Sequence, residues 1–374
     1  MPAFDFVIIG SGIAGAGAAY ELSADARVLL LEREDAHGYH TTGRSAALYS
    51  EAYGNAVIRG LTRASRAFFE APPEGFAAHP LLTPRGCLYV GRADQAQALD
   101  DLLAAEPQAL APLDREAVLA LVPALKADYV ASGLLEAGAM DADVEAIHQG
   151  FLRGARARGA EVRLGAEVTA VARGADGFTV RTASGEAFAA KVLVNAAGAW
   201  ADVVAAMAGV QPVGLQPMRR TAAIVEAPDG VDVRGWPMVI DADEDFYFKP
   251  DAGRLLASPA DETPSEPCDA WADDMDVAIC IDRIQTAADL PVRRVVRAWA
   301  GLRSFVADRS PVIGFDDQVP GFFWLAGQGG YGVQTAPAAA RTAAALARGE
   351  PLPADIAAEG VTAQALSPAR LRGD

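Results

Sequence analysis

Gly10, Gly12 and Gly15 stand in the order Gly10-Ser11-Gly12-Ile13-Ala14-Gly15, and Glu32 follows about 20 residues past the first of them. Residues of these types at this spacing hold a dinucleotide. Gly10 allows a tight turn, Gly12 lets the backbone approach a pyrophosphate, and Gly15 lets the following helix sit close against the strand before it. Glu32 puts a carboxylate where a ribose 2′-OH can donate to it, and where a 2′-phosphate would be repelled. Arg33 beside it reads as a solvated charge at a strand end. Glycine turns also serve purely steric ends, so the weight rests on context. Phe4-Asp5-Phe6-Val7-Ile8-Ile9 reads as a buried strand and Arg27-Val28-Leu29-Leu30-Leu31 as a second. The helix between them, through Ala18, Ala19, Tyr20 and Leu22, aims free N–H groups and its positive dipole end at the phosphates.

Other stretches carry chemistry of the same kind. Phe322-Phe323-Trp324-Leu325-Ala326 reads as a buried strand that breaks into Gly327-Gln328-Gly329-Gly330-Tyr331-Gly332-Val333-Gln334-Thr335 before an alanine-rich helix from Ala336 to Arg348. The amides of that turn could face an anionic ring system as the first turn faces phosphates. Val192-Leu193-Val194-Asn195-Ala196-Ala197-Gly198-Ala199-Trp200 runs from a strand into small residues, as a close passage by a nucleotide requires. The hydroxyls of Thr41, Thr42 and Ser45 either cap a helix or touch a ligand. Ala300-Gly301-Leu302-Arg303-Ser304-Phe305 sets an arginine among apolar neighbours. His37, His40, His79 and His148 lack metal-ligand spacing, and neither a serine-elbow motif nor a P-loop lysine is present.

The elements that position these residues alternate in type. After the first two strands, helical spacing runs from Ala46 to Tyr53 and on to Phe69, with Ile58, Leu61, Phe68 and Phe69 as core. Tyr49 and Tyr53 precede Gly54 on a segment expected to be mobile. Strands are expected at Leu88-Tyr89-Val90 and from Ala160 to Leu164, and a β-meander from Glu167 to Val194. Antiparallel strands follow at Arg219 to Val225, Asp245 to Lys249 and Arg254 to Leu256. A helix from Met275 to Ala288 is expected to bury Met275, Ile279 and Ile284. The fold class expected is α/β with two domains.

The 374 residues suffice for two or three cores. A net charge of −17 excludes the electrostatic footprint of a nucleic-acid binder and would be repelled by anionic lipid. Cys87, Cys268 and Cys280 are too few and scattered for a disulfide framework or a zinc site, which suits a reducing compartment. Neither a targeting segment nor a run of about 20 apolar residues is seen, so a cytoplasmic location is expected.

With these residues in hand, the chain resembles the D-amino-acid oxidase family of flavoproteins, and most closely the bacterial D-arginine dehydrogenases. The likeness rests on Gly10 to Gly15, Glu32-Arg33, Gly38-Tyr39-His40-Thr41-Thr42-Gly43-Arg44-Ser45-Ala46-Ala47, Asn195 to Trp200, Ala300 to Phe305 and Gln328 to Gly332. It implies non-covalent FAD rather than NAD, and a Rossmann-like FAD domain of residues 1–84, 141–210 and 297–374 around an antiparallel substrate domain of 85–140 and 211–296. It implies cofactor contacts from Gly10, Gly12, Ile13, Ala14, Glu32, Arg33, Thr41 to Ala46, Val168, Ala197, Gly198, Trp200, Gly301, Arg303 and Gly329 to Gln334, including Gly330, Tyr331, Gly332 and Val333. Arg220 and Arg303 would hold a substrate carboxylate, helped by the hydroxyls of Tyr53 and Tyr247, while Gly330 offers its carbonyl to the amine. A planar guanidinium suits such a bidentate contact; the alternative for each arginine is an internal salt bridge.

The resemblance further implies hydride transfer from Cα to flavin N5, with the imine hydrolysed to a 2-oxo acid and ammonia. Two departures bear on the substrate. Cys87 stands where arginine-specific relatives carry a glutamate, and Leu48 where they carry a histidine. Loss of that carboxylate predicts neutral and hydrophobic D-amino acids. The alternatives are a flavin amine oxidase acting on glycine, sarcosine or imino acids, an NAD-dependent dehydrogenase, and a flavin-binding electron-transfer subunit without its own substrate. The electron acceptor is left open.

Overall fold

In the computed structural model, which describes residues 1–228 and 230–372, the chain builds two large sheets and a small third one. Hydrophobic β-branched residues put Ala3–Ile9 at the centre of an eight-stranded sheet, wholly buried along Val7 and Ile8. It lies parallel to Val28–Leu31 on one side and to Ala187–Asn195 on the other. Glu161–Arg163 extends the sheet in parallel beyond Val28–Leu31. Val168–Gly174 and Gly177–Thr182 form the meander with Ala187–Asn195, whose far half pairs with Phe322–Ala326. The helices Ile13–Leu22, Val144–Ala157 and Ala336–Ala347 cover one face of this sheet, and small side chains let them approach closely: a Cβ on Gly17 would lie 2.9 Å from that of Ala340.

The nine-stranded sheet is mostly antiparallel and holds the pair that matters for the site, Gln216–Val225 beside Val295–Phe305. One face packs on an apolar cluster that includes Cys280, Ile284 and Ala287 of the helix Asp274–Ala287. The other face carries Tyr89, Met238, Ile240, Tyr247 and Leu256 toward the first sheet. This α/β architecture of a parallel-centred sheet beside an antiparallel one is the fold class expected.

Two local expectations are corrected, and two strands are added. Helix does not begin at Ala46: Leu48–Tyr49 is a short strand against Met140–Ala142, and the helix Ala56–Glu70 starts only where the Asn55 side chain accepts from Ile58 N. Met275 and Ile279 are 66% and 37% exposed, because the buried stripe of their helix runs through 280, 284 and 287 instead. The strands Ser132–Glu136 and Met238–Asp241 went unread, and both join the second sheet. Among the described residues no helix is long and apolar enough to cross a membrane, and no cluster could hold a metal ion.

Candidate active site

A cavity of about 430 Å³ runs between the two sheets, from the first glycine turn to the strand pair of the second sheet. At one end, Gly10 has φ +101°, and a Cβ there would lie 2.4 Å from the Ala196 carbonyl oxygen. Only glycine fits. The helix Ile13–Leu22 starts with Gly12 as its cap, which has no side chain to satisfy the first N–H groups; Ile13 N donates to Thr42 Oγ1 at 3.0 Å.

Glu32 closes the second strand and is 8% exposed. Its Oε2 accepts from Ser11 N at 2.7 Å and Ser11 Oγ at 2.8 Å, and its Oε1 accepts from Glu34 N at 3.1 Å, which leaves acceptor capacity toward the cavity. Two histidines scattered in sequence meet at Ser11. Buried His148 donates from Nε2 to the Ser11 carbonyl at 2.7 Å, and His37 Nδ1 lies 2.8 Å from Ser11 Oγ. Arg156, which can only donate, lies 2.8 Å from His37 Nε2. That fixes a one-way chain: Arg156 donates to His37 Nε2, His37 Nδ1–H donates to Ser11 Oγ, and Ser11 donates to Glu32. Burial, then the charge of Arg156, lowers the His37 pKa and keeps the ring neutral at pH 7. Breaking the chain with His37→Ala is expected to weaken binding of the expected dinucleotide by about fivefold, the worth of one neutral hydrogen bond that orients Ser11. Fluorescence titration of the apoprotein with FAD checks this, and an unchanged Kd rejects it.

At the other end, strand register brings two arginines together. Arg220 lies opposite Gly301, and Met218 opposite Arg303, so Arg220 and Arg303 are diagonal neighbours on one face, a separation of about 7–8 Å in such a ladder and within reach of long side chains. Arg220 is 6% exposed; its Nε donates to the Asp261 carbonyl at 2.7 Å and its Nη2 to Glu262 Oε1 at 3.3 Å. Its Nη1 is buried without a partner. Arg303 has no carboxylate partner among the described residues; its Nη1 donates to the Tyr53 hydroxyl at 3.1 Å. Burial alone would lower its pKa, but the phenol oxygens of Tyr53 and Tyr247 outweigh that and favour the charged guanidinium. A Cβ on Gly330 would sit 2.7 Å from the Arg303 guanidinium carbon, so the final glycine turn lies directly on that side chain. Tyr53 donates onward to Glu244, an exposed residue at the cavity rim, at 3.4 Å.

The cavity wall includes Arg220, Arg303, Tyr53, Tyr247 and Gly330, together with all the expected cofactor residues except Gly43 and Tyr331. Gly43 is a turn residue whose amide donates to the Gly38 carbonyl, and Tyr331 packs its ring against Tyr53 and Phe305. Arg44 lines the wall with its stem, while its guanidinium is engaged by the carbonyls of Ala270 and Ala300 and by Asp269. Arg33 is exposed at the strand end, as expected, where it pairs with Glu34 and lies over the Trp200 ring. Cys87 is wholly buried and absent from the wall; burial pushes its thiol pKa well up. Leu48 does line it, as do the apolar side chains of Ala222, Met238 and Ile240.

Residues that sequence reading missed include Ser11, Glu244 and Glu136. Glu136 is 2% exposed and accepts from Ser50 Oγ at 2.6 Å, Glu51 N at 2.7 Å and Ala52 N at 3.3 Å. It thus fastens the segment that leads to Tyr53, which Gln334 holds from the opposite side through the Ser50 backbone. Nothing in the sequence distinguishes it from the other acidic residues. The wall also contains two further buried polar atoms without partners, Ser304 Oγ and Gln328 Nε2. With the glycine cradle and the open capacity of Glu32, they fit a polar cofactor that spans the cavity.

Comparison with known proteins agrees with this arrangement. The family model described as FAD dependent oxidoreductase matches residues 5–346. The hydrogen cyanide synthase subunit HcnC of Pseudomonas aeruginosa is 26% identical, over 95% of this chain and 94% of its own. The N-methyl-L-tryptophan oxidase of Citrobacter koseri is 29% identical, over 70% of this chain and 74% of its own. The glycine oxidase structure from Geobacillus kaustophilus superposes with a TM-score of 0.82 at 21% identity, over 94% of this chain and 96% of that one, which is a likeness of fold. None of these three is a D-arginine dehydrogenase, so the nearer likeness expected from the motifs narrows to the family as a whole.

Proposed function

Because the chain belongs to the DAO family of FAD-dependent oxidoreductases, we propose that it oxidatively deaminates amino acids, with neutral or hydrophobic D-amino acids preferred. FAD, the cofactor of the family, supplies the hydride acceptor and displaces the NAD alternative. The observation that carries the substrate class is the pair Arg220 and Arg303: two guanidinium groups on one sheet face, Arg303 without a carboxylate partner among the described residues and Arg220 with a buried, unpartnered N–H. A carboxylate placed between them would satisfy both, and an unpaired buried cation is otherwise costly. Tyr53 and Tyr247 would add hydroxyl donors, and the Gly330 carbonyl an acceptor for the amine. With the amine neutral, no strong side-chain base is required, so the protein's work is alignment and exclusion of water. A hydrolysed imine then leaves as a 2-oxo acid and ammonia.

The wall beyond Arg220 supports an uncharged side chain. Leu48, Ala222, Met238 and Ile240 are apolar there, and the nearby acid, Glu244, sits at the exposed rim. Handedness is carried over from the resemblance to D-amino-acid oxidases. N-methyl-L-tryptophan oxidase and glycine oxidase, among the relatives, keep amine oxidation on glycine or N-methylated substrates as the second reading. Anaerobic mixing with D- and L-amino acids, glycine and sarcosine, followed by flavin bleaching, separates these readings. D-leucine, D-methionine or D-phenylalanine are expected to bleach fastest. Faster bleaching by D-arginine, by the L-series or by glycine and sarcosine would overturn the preference, and no bleaching by any amine would overturn the activity.

A further inference from the structure

One acid reaches the carboxylate seat from outside it. Glu262 receives Arg220 Nη2 at a long 3.3 Å, but it receives Arg309 as a fork, Nη1 on Oε2 at 3.0 Å and Nη2 on Oε1 at 2.7 Å. The two contacts differ in kind. The bidentate pair is the strong one, and the single long contact to Arg220 is the weak one. Glu262 is also the more accessible partner, its side chain 32% exposed against 6% for Arg220. Arg309 and Arg220, and Arg303 beyond them, all draw its pKa down against the opposing effect of burial, which places one carboxylate in the field of three guanidinium groups.

Arg309 is held in an unusual way. Its φ is +59°, in the left-handed region that side-chain-bearing residues seldom adopt, and its guanidinium carbon stacks 3.8 Å from the centroid of the Phe305 ring. Backbone strain of this kind persists where the surroundings over-determine it, and it gathers at binding sites. Here it places Arg309 where it can keep Glu262 when Arg220 lets go.

We infer that Glu262 is a placeholder: it occupies Arg220 in the free protein, and an incoming substrate carboxylate displaces it while Arg309 retains it. This deepens the proposed function and rests on its carboxylate seat. The acid therefore sets substrate affinity downward by competing for Arg220. A merely structural ion pair would have the opposite sign, since removing its charge would loosen the seat.

The test uses the FAD-loaded protein and benzoate, a carboxylate with no amine to oxidise, titrated by the change in flavin absorbance. Glu262→Gln keeps the shape and one acceptor oxygen, which suffices for the contacts now made at Oε1, while it removes the competing charge and the acceptor for Arg309 Nη1; it is expected to tighten benzoate by about tenfold, as loss of one nearby unit charge permits. Arg309→Gln frees Glu262 to close on Arg220 and is expected to weaken benzoate by about threefold. FAD content should match wild type in both. Benzoate binding to Glu262→Gln that is equal to or weaker than wild type overturns the placeholder. If the wild-type protein binds benzoate and other simple carboxylates not at all, the carboxylate seat itself falls and this inference with it.

Discussion

Arg303→Met will leave a yellow protein that scarcely binds its substrate. Methionine keeps much of the stem's volume, but the guanidinium that donates to Tyr53 is gone. Truncating one side of a buried charge pair costs about 2–5 kcal/mol, so kcat/KM is expected to fall by about 30- to 5000-fold. The loss should appear mainly as a higher KM, with benzoate affinity lost in step, because the arginine's partner is the substrate carboxylate in the ground state as well as at the transition state. FAD content is expected to stay at the wild-type value, since Glu32 and the first glycine turn lie at the other end of the cavity. Steady-state kinetics together with the absorbance ratio of flavin to protein check this. Wild-type KM with full flavin would remove Arg303 from the substrate seat; colourless protein would make it a cofactor residue instead.

The second large effect falls on Glu136, and it separates the carboxylate from its shape. Glu136→Ala strips the acceptor from Ser50 Oγ, Glu51 N and Ala52 N at once. Buried donors left unmade cost about 1–3 kcal/mol each, and with partial rescue by water an unfolding free energy lower by about 3 kcal/mol is expected in urea titration. Tyr53 follows that segment, so KM should rise as well, by about tenfold for a misplaced contact. Glu136→Gln offers the same acceptor oxygen and should recover most of both losses. The two variants also differ from wild type in pH dependence. Burial raises the Glu136 pKa against the lowering effect of its hydrogen bonds. Its contribution to stability is therefore fully present below the unfolded value and declines as pH rises through the raised folded one. Wild-type stability should fall over that interval and Glu136→Gln should lack the decline. Parallel pH profiles for the two proteins would show that Glu136 keeps an ordinary pKa.

The first glycine turn was legible because its cause is local. Strand, turn and helix are contiguous, and the demand for glycine at Gly10 arises from a carbonyl that the same sheet supplies. Ile58, Leu61 and Phe69 were legible as core for a similar reason, since helical spacing states which face is buried. Met275 and Ile279 failed the same test. Apolar spacing says that a stripe exists, and the neighbouring sheet decides which stripe is covered.

The acids of the site escaped detection for a different reason. Glu136, Glu244 and Glu262 are three among 49 acidic residues, and none has a neighbour in sequence that marks it. Their meaning comes from long-range partners: Ser50 for Glu136, Tyr53 for Glu244, Arg309 for Glu262. Cys87, expected at the substrate pocket, is buried in one cluster with Met238 and Tyr247 and does not line the cavity, which a strand buried along its whole length does not reveal. The four histidines looked idle by spacing, yet His37 and His148 converge on one serine through turns of chain that no local pattern records.

The anion seat and the side-chain wall are made by different means, and this has a consequence for how such a protein can diversify. The separation of Arg220 from Arg303 is dictated by a hydrogen-bonded ladder of ten paired positions, which no single surface substitution can stretch. Leu48, Met238 and Ile240 lie outside that ladder, so their bulk can be exchanged while the spacing of the cations is preserved. A scaffold organised in this way resembles a fixed vice with interchangeable jaws: the grip is inherited, and the workpiece is free to change.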